Sequence, residues 1–274
     1  MADTYTHGHH DSVLRSHRWR TAENSAAYLL AHLRAGQDLL DVGCGPGTIT
    51  VDLATRVRPG RVVGVDRAEP VLAEARGRIG AGDGRVRFAV GDVYALEFGD
   101  ASFDVVHAHQ VLQHLTDPVA AIREMARVLR PGGVLAARDS DYGGFVWAPG
   151  DERLDRWMAL YHDVTAHNGA QADAGRHLLG WAQQAGCRDV AATSSTWTFA
   201  DPPSRRWWAD LWAERVQRSD FASQALEYGM SDPGELASIA DAWRRWAAAP
   251  DGVFVVTHGE IIARPGPEGR VRDV

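Results

Sequence analysis

The sequence predicts an α/β protein with a doubly wound, mostly parallel sheet of seven strands, and three observations support this prediction. Apolar strand-like runs alternate with amphipathic helical segments through the first half of the chain. A glycine-rich turn follows the first apolar run, and aspartate or histidine residues follow the others. Strict alternation of strand and helix gives a parallel sheet covered on both faces, which binds ligands beyond the carboxyl ends of its strands.

The composition is that of a globular protein with one large domain. The chain has 274 residues, is 45% hydrophobic and contains two cysteines, which argues against a disulfide framework or a cysteine-based zinc site. No apolar run reaches the roughly 18 residues of a membrane span, and the N-terminus lacks a signal-sequence pattern. We therefore expect a cytoplasmic monomer or homodimer that has no membrane partner.

The charged residues exclude several functions. All 29 basic residues are arginines, so the chain lacks the lysine of a phosphate-loop ATPase, a Schiff-base lysine and a lysine general base. The net charge of −7 at pH 7 disfavours a nucleic-acid partner, because such partners require a basic surface.

In the first half of the chain, predicted strands and helices alternate along the sequence. A histidine-rich segment, residues 1–20, precedes a helix that Thr21 caps and Gly36 ends. The later helix at 118–129 begins with Asp117-Pro118, an N-cap followed by a first-turn proline. Strands are predicted at 38–42, 61–65, 86–90, 103–109 and 134–138.

The pattern changes after residue 142. Helical spacing at 154–164 and 178–185 is followed by alternation typical of a strand at 188–200. Residues 202–248 are too many for a simple connection and are interpreted as an inserted helical lid before a last strand at 253–263. The predicted divisions are an N-terminal segment (1–20) over the active site, a cofactor-binding core (21–142), a substrate half (143–264) and a tail (265–274).

The glycine-rich turn has the chemistry of a cofactor loop. Gly43, Gly45 and Gly47 permit positive φ angles and a close ligand, and the next helix presents free N–H groups to an anion. The spacing departs from the dinucleotide pattern G-x-G-x-x-G, because Thr48 stands where its last glycine would fall.

These features resemble the class I S-adenosylmethionine-dependent methyltransferases of the ubiquinone/menaquinone-biosynthesis type. The resemblance implies the strand order 3-2-1-4-5-7-6, with strand seven antiparallel, and S-adenosylmethionine as the cofactor, leaving as S-adenosylhomocysteine. The matching stretches are 40–47, 65–66, 91–93, 103–106, 113–115 and 128–133.

A second resemblance is to small-molecule thiol methyltransferases of fungal dithiol metabolism. It is carried by the run from Tyr5 to Leu30 and by the segment Asp139-Ser140-Asp141-Tyr142. This resemblance implies that the N-terminal segment folds over the cofactor, with Tyr5 and His10 near it.

Acids at strand ends complete the expected cofactor site. Asp66 is placed to accept hydrogen bonds from ribose hydroxyls and Asp92 from the adenine amine, although either acid could instead cap the next helix. The glycines leave room for the methionine part. The candidate cofactor residues are Asp41, Gly43, Cys44, Gly45, Gly47, Asp66, Arg67, Asp92, Val93, His109, Tyr5 and His10.

The chemistry requires alignment of acceptor, methyl group and sulfur more than it requires a base. A hydroxyl or amine acceptor often needs a general base, whereas a thiol with a pKa near 8.5 supplies thiolate unaided. The candidate catalytic residues are His109, His114 and Asp139, and hydrogen bonding at a helix start is the alternative role of both histidines. A metal held by Asp139 and Asp141 remains a minor alternative, and no metal is expected.

The tryptophans suggest an acceptor pocket. The chain has ten, of which five fall within 202–248; core packing must account for most of them, and a minority would line an apolar pocket. The candidate pocket residues are Asp141, Trp147, Trp208 and Trp212.

The predicted function is methylation of a small molecule, with thiol S-methylation first and O-, N- or C-methylation behind it. One alternative is an NAD-dependent oxidoreductase, against which stand Thr48, Asp92 and the absence of a Tyr-x-x-x-Lys pair. The other is a non-catalytic S-adenosylmethionine-binding partner protein, against which stands the intact glycine motif.

Overall fold

An eight-stranded sheet lies at the centre of the computed structural model, which describes residues 3–8, 10–80 and 83–266. The strands are β1 (Leu39–Val42), β2 (Val62–Asp66), β3 (Val86–Val90), β4 (Phe103–His109), β5 (Leu129–Ser140), β6 (Val146–Ala148), β7 (Arg188–Phe199) and β8 (Val253–Arg264).

The strand order confirms the predicted topology. Strands β3-β2-β1-β4-β5 are parallel, and β8 runs antiparallel to β5 on one side and to β7 on the other. The short β6 is additional to the seven predicted strands and pairs with the beginning of β8. This order brings the ends of β1, β2 and β4 to one edge, where the glycine turn lies.

Helices cover both faces of the sheet and fill the region between β7 and β8. The helices are α1 (Asp11–Arg18), α2 (Ala22–Ser25), α3 (Ala27–Leu30), α4 (Thr48–Arg56), α5 (Glu69–Gly77), α6 (Pro118–Arg127), α7 (Glu152–His167), α8 (Ala174–Gln184), α9 (Pro202–Arg218), α10 (Asp220–Glu227) and α11 (Pro233–Ala248). The lid helices α9–α11 occupy the predicted insertion. None of the helices in the described ranges is long and apolar enough to cross a bilayer.

Two elements differ from the sequence prediction. The helix capped by Thr21 breaks at Ala26, which has φ −137°, because the indole Nε1 of Trp197 donates to the carbonyl of Asn24 at 2.6 Å. In a continuous helix that carbonyl would accept from the N–H of Tyr28. Strand β5 begins at Leu129 instead of 134, since Pro131-Gly132-Gly133 forms a bulge within the strand and does not precede it.

The apolar residues form three buried clusters, one on each face of the main sheet and one beneath the lid helices. The lid cluster is strongly aromatic: Trp157, Trp212 and Trp243 are almost fully buried and contact one another through edge-to-face and stacked rings. Core packing therefore accounts for most of the tryptophans. The tail beyond residue 266 lies outside the described residues.

Candidate active site

A cavity of about 270 Å³ opens at the carboxyl ends of β1, β2 and β4. The glycine turn lies on one side, and the N-terminal segment, β7 and α9 enclose the other. The structure brings together, on the wall of this cavity, the sequence-predicted residues Tyr5, Asp41, Gly43, Cys44, Gly45, Asp66, Arg67, Val93, His109, His114, Trp208 and Trp212.

The three glycines of the turn all adopt positive φ, and each has a different packing role. A Cβ at Gly45 would stand on the cavity side, with its nearest neighbour, His17 Nδ1, 3.8 Å away. A Cβ at Gly43 would lie 2.3 Å from a methyl of Val111, and one at Gly47 would lie 2.6 Å from the ring of Phe88. Gly45 therefore keeps the cavity open, whereas Gly47 faces the core.

Asp66 is half-buried on the cavity wall and already holds the local backbone. One carboxylate oxygen accepts from the N–H of Gly45 at 2.9 Å, and the other accepts from the N–H of Ala68 at 3.0 Å. Each oxygen has a second lone pair for a ligand hydroxyl. Holding the local backbone and binding a ligand are therefore compatible at this carboxylate, which does not cap α5.

Asp41 and Asp92 occupy different positions from Asp66. Asp41 is buried, 2.7 Å from His107 Nδ1 and 2.5 Å from Thr50 Oγ1, so both of its oxygens are used within the protein. Asp92 accepts from the N–H of Tyr94 at 3.0 Å and is not part of the cavity wall, although its neighbour Val93 is. The role of Asp92 toward adenine stays a prediction.

The N-terminal segment packs over the cavity opposite the glycine turn. The hydroxyl of Thr48 donates to the carbonyl of His17 at 3.2 Å, and Tyr5 lies on the wall with its pKa raised to about 12 by burial. His10 lies off the wall, where its Nδ1 accepts from the N–H of Ser12 at 3.2 Å and caps α1.

The two candidate histidine bases are held in their neutral form. His109 is 5% exposed, and neither ring nitrogen has a partner among the described residues. Burial, reinforced by the charges of Arg20 and Arg138, holds the pKa of His109 well below its ordinary value. Burial and Arg20 lower the pKa of His114 to about 3. Both are therefore weak bases.

Besides His10, Gly47 and Asp92, three more predicted residues lie away from the wall. Asp139 is fully buried beneath it and accepts from the N–H of Gln113 at 3.1 Å, and burial raises its pKa to about 7. Asp141 forms an ion pair with Arg176, whose Nε lies 2.8 Å from Oδ2. Trp147 stacks on Phe254 with ring centroids 5.7 Å apart. Over the described ranges, no three His, Cys, Asp or Glu side chains gather as a metal-binding group.

Sequence reasoning missed several polar residues of the wall. His7 is buried, with its Nε2 3.0 Å from the hydroxyl of Tyr161 and 3.3 Å from that of Tyr142. Arg20 donates to the side chain of Gln110 and lies 5.8 Å from the ring centroid of Trp197. Trp197 and Arg215 also line the wall. These residues come from distant segments, and no local spacing indicates that they meet.

Comparisons with known proteins agree with this geometry. Residues 40–137 match the methyltransferase domain family. An uncharacterized methyltransferase of Schizosaccharomyces pombe is 34% identical over 267 residues, which is 94% of this chain and 95% of that protein. The match therefore covers nearly the whole length of both chains.

Solved structures show the same fold. A putative methyltransferase from Bacillus halodurans superposes with a TM-score of 0.56 at 22% identity, covering 88% of this chain and 98% of that chain. Phosphoethanolamine N-methyltransferase 2 of Haemonchus contortus, solved with S-adenosylhomocysteine, has a TM-score of 0.54 at 20% identity and covers 85% of this chain and 50% of that chain.

Proposed function

We propose, from the premise that the chain belongs to the class I S-adenosylmethionine-dependent methyltransferases, that it methylates a small-molecule thiol of specialised metabolism. S-Adenosylmethionine is the methyl donor of this enzyme, and S-adenosylhomocysteine is the product. Membership in this family sets aside the NAD-dependent oxidoreductase alternative. The observation that carries the proposal is the single cavity that joins the glycine turn and Asp66 to an aromatic wall.

The residues of the turn fit the cofactor. The backbone of Gly45 forms a cradle that a Cβ would fill, and we assign Gly43, Cys44 and Gly45 to the methionine part. Asp66 is assigned to the ribose hydroxyls, because both of its oxygens keep a lone pair for a ligand. Val93 and Asp92 are assigned to the adenine.

The side chains around the acceptor space would orient the acceptor and enclose it, but they have little capacity to take a proton from it. When bound, S-adenosylmethionine supplies an activated methyl group, and its transfer is an in-line displacement. Trp197, Trp208 and Trp212 present apolar rings to the cavity, which favours an apolar acceptor and excludes water. The lowered pKa values of His109 and His114 favour a nucleophile that ionises without a base. A thiol meets this requirement best, and O-, N- and C-methylation rank behind it.

The test is transfer of a labelled methyl group to benzyl mercaptan, a phenol and benzylamine under the same conditions. The expected result is the highest kcat/KM with the thiol. A higher value for the phenol or the amine would contradict the thiol assignment. S-Adenosylhomocysteine binding without transfer to any acceptor would support a non-catalytic partner protein instead.

A further inference from the structure

Arg215 of α9 is a buried cation on the cavity wall. Its side chain is 4% exposed, and its Nη2 donates to the carbonyl of Ser12 and to the hydroxyl of Ser16, both at 3.1 Å. The Nε is buried and has no partner, and no carboxylate of the described residues lies within 4 Å of the guanidinium. Burying an unpaired charge is costly, and because Arg215 faces the cavity, an anion bound there would offset this cost.

A second guanidinium on the wall increases the positive charge. Arg20 also has a buried Nε without a partner and has no carboxylate within 4 Å among the described residues. Burial lowers its pKa to about 10, and the charge of Arg215 contributes. The three acids that the described ranges contribute to the wall contact other groups. Asp3 pairs with Arg67, Asp41 contacts His107, and Asp66 accepts from the N–H groups of Gly45 and Ala68.

The cofactor cannot neutralise both guanidiniums. S-Adenosylmethionine carries one carboxylate, whose single negative charge balances one guanidinium, together with a positive ammonium and a positive sulfonium. The cofactor therefore adds net positive charge to the cavity. Arg215 extends from the lid helices beside Trp212, and its guanidinium carbon lies 4.5 Å from the centroid of the Trp212 ring. It therefore lies next to the aromatic wall assigned to the acceptor.

The histidine and the tyrosines near Arg215 are neutral. Burial and the charge of Arg215 hold the pKa of His7 well below its ordinary value. Burial raises the pKa values of the facing tyrosines, which are Tyr5 of the N-terminal segment, Tyr142 after β5 and Tyr161 of α7. The nearby cation Arg15 already pairs with Glu214, so the charge of Arg215 is left for a ligand.

We propose that the acceptor is bound as an anion, with Arg215 as its counter-ion. This inference rests on the proposed function and narrows it to acceptors with an acidic S–H or O–H, or with a carboxylate beside the nucleophile. For a thiol, the proton leaves to water and the sulfur electron pair forms the new bond to the methyl carbon. The methyl–sulfonium bond breaks with its electron pair on the sulfur of S-adenosylhomocysteine. A protonated amine is repelled.

The experiment measures binding to the enzyme saturated with S-adenosylhomocysteine. Calorimetry gives the dissociation constants of 4-(mercaptomethyl)benzoate, benzyl mercaptan, benzyl alcohol and benzylammonium for the wild type, Arg215→Met and Arg205→Met. Arg205 is the matched control, since it is a 5%-exposed arginine of the same helix that donates to the carbonyl of Gly252 at 3.0 Å and lies off the wall.

The wild type and Arg205→Met should bind an anionic probe about 10- to 100-fold more tightly than benzyl alcohol, and Arg215→Met should lose this preference. If the negative charge that Arg215 binds is a carboxylate of the acceptor, 4-(mercaptomethyl)benzoate should bind tightly already at pH 7. If it is the thiolate, binding of benzyl mercaptan should tighten from pH 7 to 9, while binding of benzyl alcohol stays constant.

Equal affinities for the four probes, or the same preference in Arg215→Met as in the wild type, would overturn the inference. Arg215→Lys, which keeps the charge, should retain part of the preference and serves if Arg215→Met does not fold. S-Adenosylhomocysteine affinity is measured separately in each protein. If the wild type does not bind S-adenosylhomocysteine, the proposed function is contradicted. If the wild type binds S-adenosylhomocysteine but shows no preference for anionic probes, only the role of Arg215 is contradicted.

Discussion

Asp66 shows how one side chain can serve both the fold and the ligand. Its two oxygens fasten the glycine turn and the start of α5, so the same carboxylate sets the position of the cradle and faces the cavity. The sequence indicated this residue because an acid directly after a parallel strand must lie at the ligand-binding edge. His7, Arg20 and Arg215 carried no such signal, because their shared surroundings arise only when α1 and α9 pack together.

Replacing Asp66 with alanine should weaken S-adenosylhomocysteine binding more than tenfold. Hydrogen bonds to a charged acceptor contribute about 1.5–3 kcal/mol, and about 1.4 kcal/mol corresponds to a factor of ten. Calorimetry is the measurement. Asp117→Ala is the control, since the Asp117 carboxylate also accepts from a backbone N–H, that of Ala120 at 2.8 Å, but is not on the wall. An unchanged affinity in Asp66→Ala would remove Asp66 from the site.

Replacing His109 with alanine should reduce turnover of a thiol only slightly at pH 8.5. The pKa of His109 is held well below its ordinary value, so the imidazole is neutral throughout pH 7–9 and its titration cannot shape the rate there. The rate should instead rise with ionisation of the thiol. The pH profiles of kcat/KM for both proteins test this, and a loss of about 10²-fold or more in the variant would identify His109 as a general base.

A comparison of alanine substitutions at Gly47 and Gly132 distinguishes the cost of backbone strain from the cost of a packing clash. Both have positive φ, +76° and +78°, but a Cβ at Gly47 would meet Phe88 at 2.6 Å, while one at Gly132 would meet nothing within 4 Å. Gly132→Ala should therefore cost about 1–2 kcal/mol of unfolding free energy, and Gly47→Ala about 1–3 kcal/mol more. Urea unfolding of both variants gives the comparison; equal losses would show that packing at Gly47 contributes nothing.

At the scale of elements, local signals predicted helix starts better than helix continuity. The capping box of Thr21 and Asn24 is present, with Asn24 N donating to Thr21 Oγ1 at 3.2 Å and Thr21 N donating to Asn24 Oδ1 at 2.8 Å. The break at Ala26 depends on Trp197, which is far away in sequence and meets Asn24 only after β7 has joined the sheet. A contact of this kind has no signature in a local window.

Deleting residues 1–18 should leave the sheet folded and impair turnover. The capping box of α2 and the bond from Ala22 N to Asp52 at 3.0 Å remain, whereas Tyr5 and His7 are lost from the wall, and Arg215 loses its bonds to α1. Circular dichroism and urea unfolding report the fold, and labelled methyl transfer reports turnover. Full activity in the truncated protein would show that the segment does not complete the site.

At the scale of the whole molecule, the sheet order follows from the alternation of elements and the family resemblance, but the charge of the cavity does not. The sequence is acidic overall, with a net charge of −7, and its tryptophans suggested an apolar acceptor pocket. The fold also brings Arg20 and Arg215 to one wall, where neither has a carboxylate within 4 Å among the residues that the structure describes, because α9 and the end of the N-terminal segment meet there. The overall charge of the chain therefore gives no indication that buried guanidinium groups lie on the cavity wall.

The most direct test of the account is a crystal structure of the enzyme with S-adenosylhomocysteine. The account predicts the ligand in the cavity, with its ribose hydroxyls within hydrogen-bond distance of the Asp66 carboxylate and its methionine part against Gly43 and Gly45. It also predicts that the homocysteine sulfur faces the space between Arg215 and Trp197. S-Adenosylhomocysteine bound elsewhere, or with its ribose away from Asp66, would contradict the account.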